Sequence, residues 1–84
     1  MVYHHIVEQS QQTRFGAHAI QNSANVVPVT PELNTALNGF FSSKRPDITG
    51  SETMTVRQWV SSMTYEEARE FGLKAVEMVK QGEW

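Results

Sequence analysis

NVVPVTPELNTALNGFF, residues 25–41, reads as a strand that runs directly into a helix. Val26, Val27 and Val29 are β-branched and suit a pleated strand, while Pro28 lacks an N–H and confines that strand to an edge or to its last ladder position. Thr30 then offers a side-chain oxygen to the orphan N–H groups of a helix, and Pro31 loses no bond at the first helical position. Leu33, Ala36, Leu37, Phe40 and Phe41 recur at spacings of three and four, the stripe of a helix that faces a core. Gly39 weakens this helix only locally.

Toward the N-terminus, VYHHIV (residues 2–7) is a second short strand, separated from the first by a polar, Gln-rich stretch from Glu8 to Gln21 that reads as a loop broken at Gly16. Toward the C-terminus, Ser42 to Thr53 has no periodicity and is expected to be a movable loop. Thr55 with Gln58 and Thr64 with Glu67 are capping-box pairs that open two further helices. The first places Val56, Trp59, Val60 and Met63 on one face. The second, from about Tyr65 to Gln81, buries Ala68, Phe71, Ala75 and Val79 and leaves Glu66, Glu70, Lys74 and Glu77 in water, with Gly72 permitting close helix packing. Trp84 is terminal and carries no information. The expected architecture is α+β, one domain over residues 1–84. A two-stranded element and a helix form the core (residues 1–43), and two C-terminal helices (residues 54–81) brace it.

A chain of 84 residues has room for one modest core and one active site. With no cysteine, neither a disulfide framework nor a thiolate metal site is available, so histidines and carboxyl or amide oxygens must hold any metal. No apolar run approaches the roughly 20 residues that cross a bilayer, and the first residues do not form a secretion signal. A formal charge of −2 argues against broad electrostatic capture of nucleic acid. The closeness of the first strand to Met1 suggests a cut through a longer chain.

Adjacent residues on a strand project to opposite sides, so His4 and His5 are poorly placed to chelate one ion but well placed for two jobs around it. Phosphodiester hydrolysis needs that division of labour: a cation to neutralise charge on the scissile phosphate and leaving oxygen, and a base to activate water. Asn25 opens the second strand, and Asn34 falls in the first turns of the next helix.

HHIVEQ, followed by IQNSANVVPVTPELNTALNGFFSSK, resembles the His-Asn-His nuclease domains of the endonuclease VII superfamily that form C-terminal toxin modules of bacterial polymorphic toxins. The C-terminal stretch TVRQWVSSMTYEEAREFGLKAVEMV is similar to the helical ending of some of them. The resemblance implies a ββα-metal core, with His4 as first metal ligand and His5 as general base. Asn25 would shape the loop and hold the base in orientation. Asn34 stands where such domains carry a helix histidine as metal ligand. An amide oxygen is harder than imidazole, so Mg²⁺ or Mn²⁺ is favoured and Zn²⁺ is possible. Asn38, one turn on, can supply a second oxygen or bind a phosphate, and is otherwise a cap residue like Asn22. Among Arg14, Lys44, Arg45 and Arg57, the pair Lys44-Arg45 is the best placed for substrate. His18 is expected in an exposed or capping role, and Trp59 in the core.

The function so implied is a metal-dependent endonuclease acting on DNA, with RNA not excluded. It would be cargo of a larger secreted effector, acting in the target-cell cytoplasm and blocked in the producer by a cognate immunity protein, with no membrane partner. Two other readings stand beside it: a binding or interaction domain that keeps this fold with a decayed site, and a small helical interaction protein in which the histidine pair is incidental.

Overall fold

A computed structural model describes all 84 residues. Strands β1 (Val2–His5) and β2 (Val26–Val29) pair antiparallel, with His4 opposite Val27 and His5 opposite Val26. The Ile6 N–H donates to the Asn25 carbonyl at 2.7 Å and carries the pairing one step past β1. Pro28 faces Tyr3 on this two-stranded element, where both are exposed and the missing N–H is tolerated.

Helix α3 (Pro31–Ser42) follows β2 at once. The Thr30 hydroxyl accepts from the Leu33 N–H at 3.2 Å and Pro31 occupies the first turn. Leu37, Phe40 and Phe41 are buried, Leu33 is half-buried, and Ala36, which the spacing assigns to the same stripe, is exposed at its edge. Helices α5 (Val56–Val60) and α6 (Tyr65–Lys80) each begin with a complete capping box, Thr55 with Gln58 and Thr64 with Glu67. The fold is thus α+β. Val56, Val60, Ala68 and Ala75 pack with the α3 residues, and Val7 and Ile20 enter the same core from the β1–β2 connection.

Three segments depart from the sequence reading. The stretch expected as a loop from Glu8 to Gln21 contains a 3₁₀ turn (Gln9–Gln11) and two short helices, α1 (Gln12–Phe15) and α2 (Ala17–Gln21), separated by Gly16 at φ 86°. Helices this short are not stable alone and carry no readable period; tertiary contacts hold them. Ile20 is fully buried, Arg14 donates to the Ser61 carbonyl and, at 2.7 Å, to the Met63 carbonyl, and the Tyr65 hydroxyl donates to the Ala19 carbonyl at 3.2 Å. The stretch expected as a movable loop from Ser42 to Thr53 contains a helical turn, α4 (Pro46–Thr49), closed by Gly50 in the left-handed region. Trp84 stacks on Phe40 and Phe71, with centroids 5.3 and 5.6 Å apart, and so closes one end of the core.

Gly72 is buried in α6, and what approaches it is the backbone of Ile6 just past β1: a Cβ at this position would run into the Ile6 carbonyl oxygen. This contact seats the residue just past β1 against α6. Gly72→Ala is therefore expected to destabilise the fold by about 1–3 kcal/mol, the usual cost of overpacking a tight contact. A urea midpoint equal to that of wild type would show that the Ile6 backbone does not bear on α6.

Candidate functional site

A cavity of about 300 Å³ lies between the end of β1 and one face of α3. His4, His5 and Tyr3 reach it from β1, Glu8, Gln9 and Ser10 from the segment that follows, Asn34 and Asn38 from α3, and Arg57 from α5. The helix start set by Thr30 and Pro31 turns Asn34 and Asn38, four residues apart, to one side of α3.

His4 is only 6% exposed, its ring lying against Phe41 at a centroid distance of 6.4 Å. Its Nε2 is the one buried side-chain polar atom without a hydrogen-bond partner. Burial holds this imidazole below its ordinary pKa, partly opposed by the nearby Glu8 carboxylate and assisted by His5. His4 is accordingly neutral at pH 7 and offers a lone pair. Neither the Asn34 nor the Asn38 side chain spends its amide on another protein group. One imidazole and two amide oxygens therefore border the same space, and no three His, Asp or Glu side chains converge there. His4 Nε2 itself is closed to solvent, so an ion drawing on that nitrogen as well as on the Asn34 and Asn38 amides needs the ring to turn toward the cavity.

His5 has different neighbours. Its Nε2 lies 3.1 Å from Gln21 Oε1, and the Gln9 amide nitrogen approaches the same ring at 3.2–3.3 Å. Asn25 is fully buried and hydrogen-bonds elsewhere: its Oδ1 accepts from the Val7 N–H at 2.8 Å, and its Nδ2 donates to the Val7 and Ile20 carbonyls at 2.9 and 2.8 Å. Asn25 thus ties the exit of β1 to the end of α2. Direct orientation of the His5 ring, expected of Asn25, falls to Gln21 and Gln9.

Lys44 and Arg45 are not brought to the cavity. Lys44 is exposed, while Arg45 pairs with Asp47 at 3.0 Å, donates to the Trp84 carbonyl at 3.1 Å and lies over the Phe40 ring. The cation at the cavity is Arg57, held by both Glu8 oxygens at 2.8 and 2.9 Å and by the Ser42 hydroxyl at 2.9 Å. His18 sits exposed on α2, away from the cavity, and Trp59 is half-buried edge-on to Phe71 at 5.2 Å. The sequence reading missed Tyr3, Glu8, Gln9 and Gln21. Glu8 and Gln9 stand directly after HHIV, which is a signal of place but not of partner: Glu8 and Arg57 are 49 residues apart.

Removing the Asn25 amide leaves two carbonyls and one N–H buried without partners. Asn25→Ala is expected to cost about 2–4 kcal/mol of stability by denaturant unfolding, at 1–3 kcal/mol for each unsatisfied group with partial relaxation. For His4, the depressed folded pKa means that the unfolded chain binds a proton which the folded protein refuses. Its contribution is whole above about pH 6.5 and is lost as pH falls from there through the folded value. Between pH 7 and 5, measured in EDTA, wild type should lose more stability than His4→Phe; equal slopes would mean that His4 is not buried as a neutral ring. Searches of family models, of curated proteins and of solved structures find no match to this chain.

Proposed function

We propose that this domain is a metal-dependent endonuclease that hydrolyses phosphodiester bonds in DNA. The observation that carries the reading is the gathering of His4, Asn34 and Asn38 around one cavity that His5 also lines, with both asparagine amides uncommitted. The order of elements, strand, excursion, strand, helix, is that implied by the resemblance to His-Asn-His nucleases.

Charge supports the need for a metal. Glu8 and Arg57 neutralise each other, His4 is uncharged at pH 7, and asparagines carry none, so the cavity's own residues offer little to an anionic phosphodiester. With a net charge of −2, the rest of the chain does not compensate. A divalent cation held by His4, Asn34 and Asn38 would supply positive charge at the scissile phosphate and leaving oxygen. His5 takes a proton from water as the water oxygen bonds to phosphorus; the P–O bond to the leaving sugar breaks, and that oxygen picks up a proton from solvent. Asn25 holds the strand exit and α2 in place around His5.

The same resemblance makes the domain the toxin module of a larger bacterial effector, with a cognate immunity protein as partner. No helix is long and apolar enough to cross a membrane. The amide at position 34 favours one second reading, a domain that keeps the fold and binds without cutting.

Plasmid cleavage with Mg²⁺, Mn²⁺, Zn²⁺ or EDTA separates these. Nicking should require metal and fall by about 10²–10⁴-fold in His5→Ala, the usual contribution of a positioned general base. Asn34→Ala and Asn38→Ala should raise the metal concentration needed for half-maximal rate. A wild-type domain that neither cuts DNA or RNA nor binds a divalent ion would overturn the enzyme reading.

A further inference from the structure

The His5 imidazole ends a short chain of amides. Gln12 Oε1 accepts from Gln21 Nε2 at 3.0 Å, and Gln21 Oε1 stands 3.1 Å from His5 Nε2. A Gln carbonyl oxygen can only accept, so a hydrogen bond at that contact requires the proton to sit on Nε2. Nδ1 is then the nitrogen with the lone pair. The Gln9 amide lies near both ring nitrogens, at 3.3 Å from Nδ1 and 3.2 Å from Nε2. With the Nε2 proton committed to Gln21, the Gln9 amide can bond only the Nδ1 lone pair, and a water must displace it there for Nδ1 to take a proton. The Gln9 contact alone does not choose between the nitrogens; Gln21 sets the tautomer.

The chain is mounted on the fold. Gln21 is the last residue of α2, next to Ile20, whose side chain is fully buried and whose carbonyl accepts from Asn25. The Asn25 amide therefore acts on His5 at one remove, by seating the backbone from which Gln21 reaches the ring.

We propose that Gln21 is a positioning residue for His5: it locks the imidazole in the Nε2–H tautomer and leaves Nδ1 as the nitrogen that accepts the proton from water. The catalytic meaning rests on the nuclease reading above, but the tautomer itself does not. A neutral histidine free of such a contact exchanges between two tautomers, and on the nuclease reading the productive one carries its lone pair on Nδ1. The Gln21 contact removes the unproductive form without placing a charge beside the base.

The test is long-range ¹H–¹⁵N correlation of the His5 ring in uniformly labelled protein, in EDTA at about pH 8.5, where a histidine is neutral. Wild type should show the Nε2–H form alone. Gln21→Leu, with backbone amide shifts otherwise matching wild type, should show a mixture, and Gln21→Glu, which keeps an acceptor, should restore the single form. Gln12→Leu, which does not touch His5, should give an intermediate mixture. In plasmid cleavage, Gln21→Leu should lower kcat in proportion to the share of the ring that leaves the Nε2–H form, about twofold for an even mixture, with little change in KM. An Nδ1–H form in wild type, or an Nε2–H form unchanged in Gln21→Leu, would overturn the proposal. If the tautomer behaves as described while no variant cuts nucleic acid, the positioning role of Gln21 stands and the nuclease reading falls.

Discussion

Three hydrogen bonds from the fully buried amide of Asn25 close the excursion between the two strands, and the rest of the structure leans on that closure. The connection runs through polar, Gln-rich sequence that has little apolar surface with which to fold itself. One amide, accepting once and donating twice, satisfies three backbone groups at the two ends of the excursion that would otherwise be buried without water. Val7 and Ile20 can then enter the core with Leu37 and Phe41, and α6 can come against the Ile6 backbone at Gly72. A carboxylate at position 25 would keep the acceptor and lose both donors, which gives a physical reason for an amide there.

The closure sets two histidines in contrasting surroundings although they are neighbours in the chain. His4 turns into the fold against Phe41, loses hydration and becomes a neutral ring with an unpartnered nitrogen. His5 is held at a half-buried position by side-chain amides. Burial tunes the first, and hydrogen bonds orient the second. The Glu8–Arg57 pair, with Ser42 as a third partner, knots the segment after β1 to α5 and the end of α3. A partly buried ion pair of this kind contributes little net stability and is better understood as fixing the relative placement of three elements. It also leaves the cavity without free charge, and a divalent cation would act most strongly in such surroundings.

Much of the helical architecture was legible because its signals are local. Thr30-Pro31, Thr55 with Gln58, and Thr64 with Glu67 mark helix starts through contacts within one turn, and the stripe containing Leu37, Phe40 and Phe41 marks which face goes inward. The short helices α1 and α2 were not legible, since four or five residues show no period and owe their shape to Arg14, Ile20 and Tyr65 bonding or packing against distant elements. Trp84 was unreadable for a related reason: a terminal aromatic has no sequence context, and its seat is formed by Phe40 and Phe71 from two helices.

At the candidate site the division is similar. By itself the sequence determined that His4 and His5 diverge from one strand, that Asn34 and Asn38 share one side of a helix, and that the strand before that helix begins beside Asn25. Each of these follows from backbone periods of two or 3.6 residues. Only the tertiary structure decided that Arg57 rather than Lys44 or Arg45 borders the cavity, that Glu8 is its partner across 49 residues, and that Gln21 rather than Asn25 touches His5. Such pairings depend on where the chain returns after a non-repeating excursion, and no local propensity encodes that return. It is set by which buried polar groups must find partners once the core has closed.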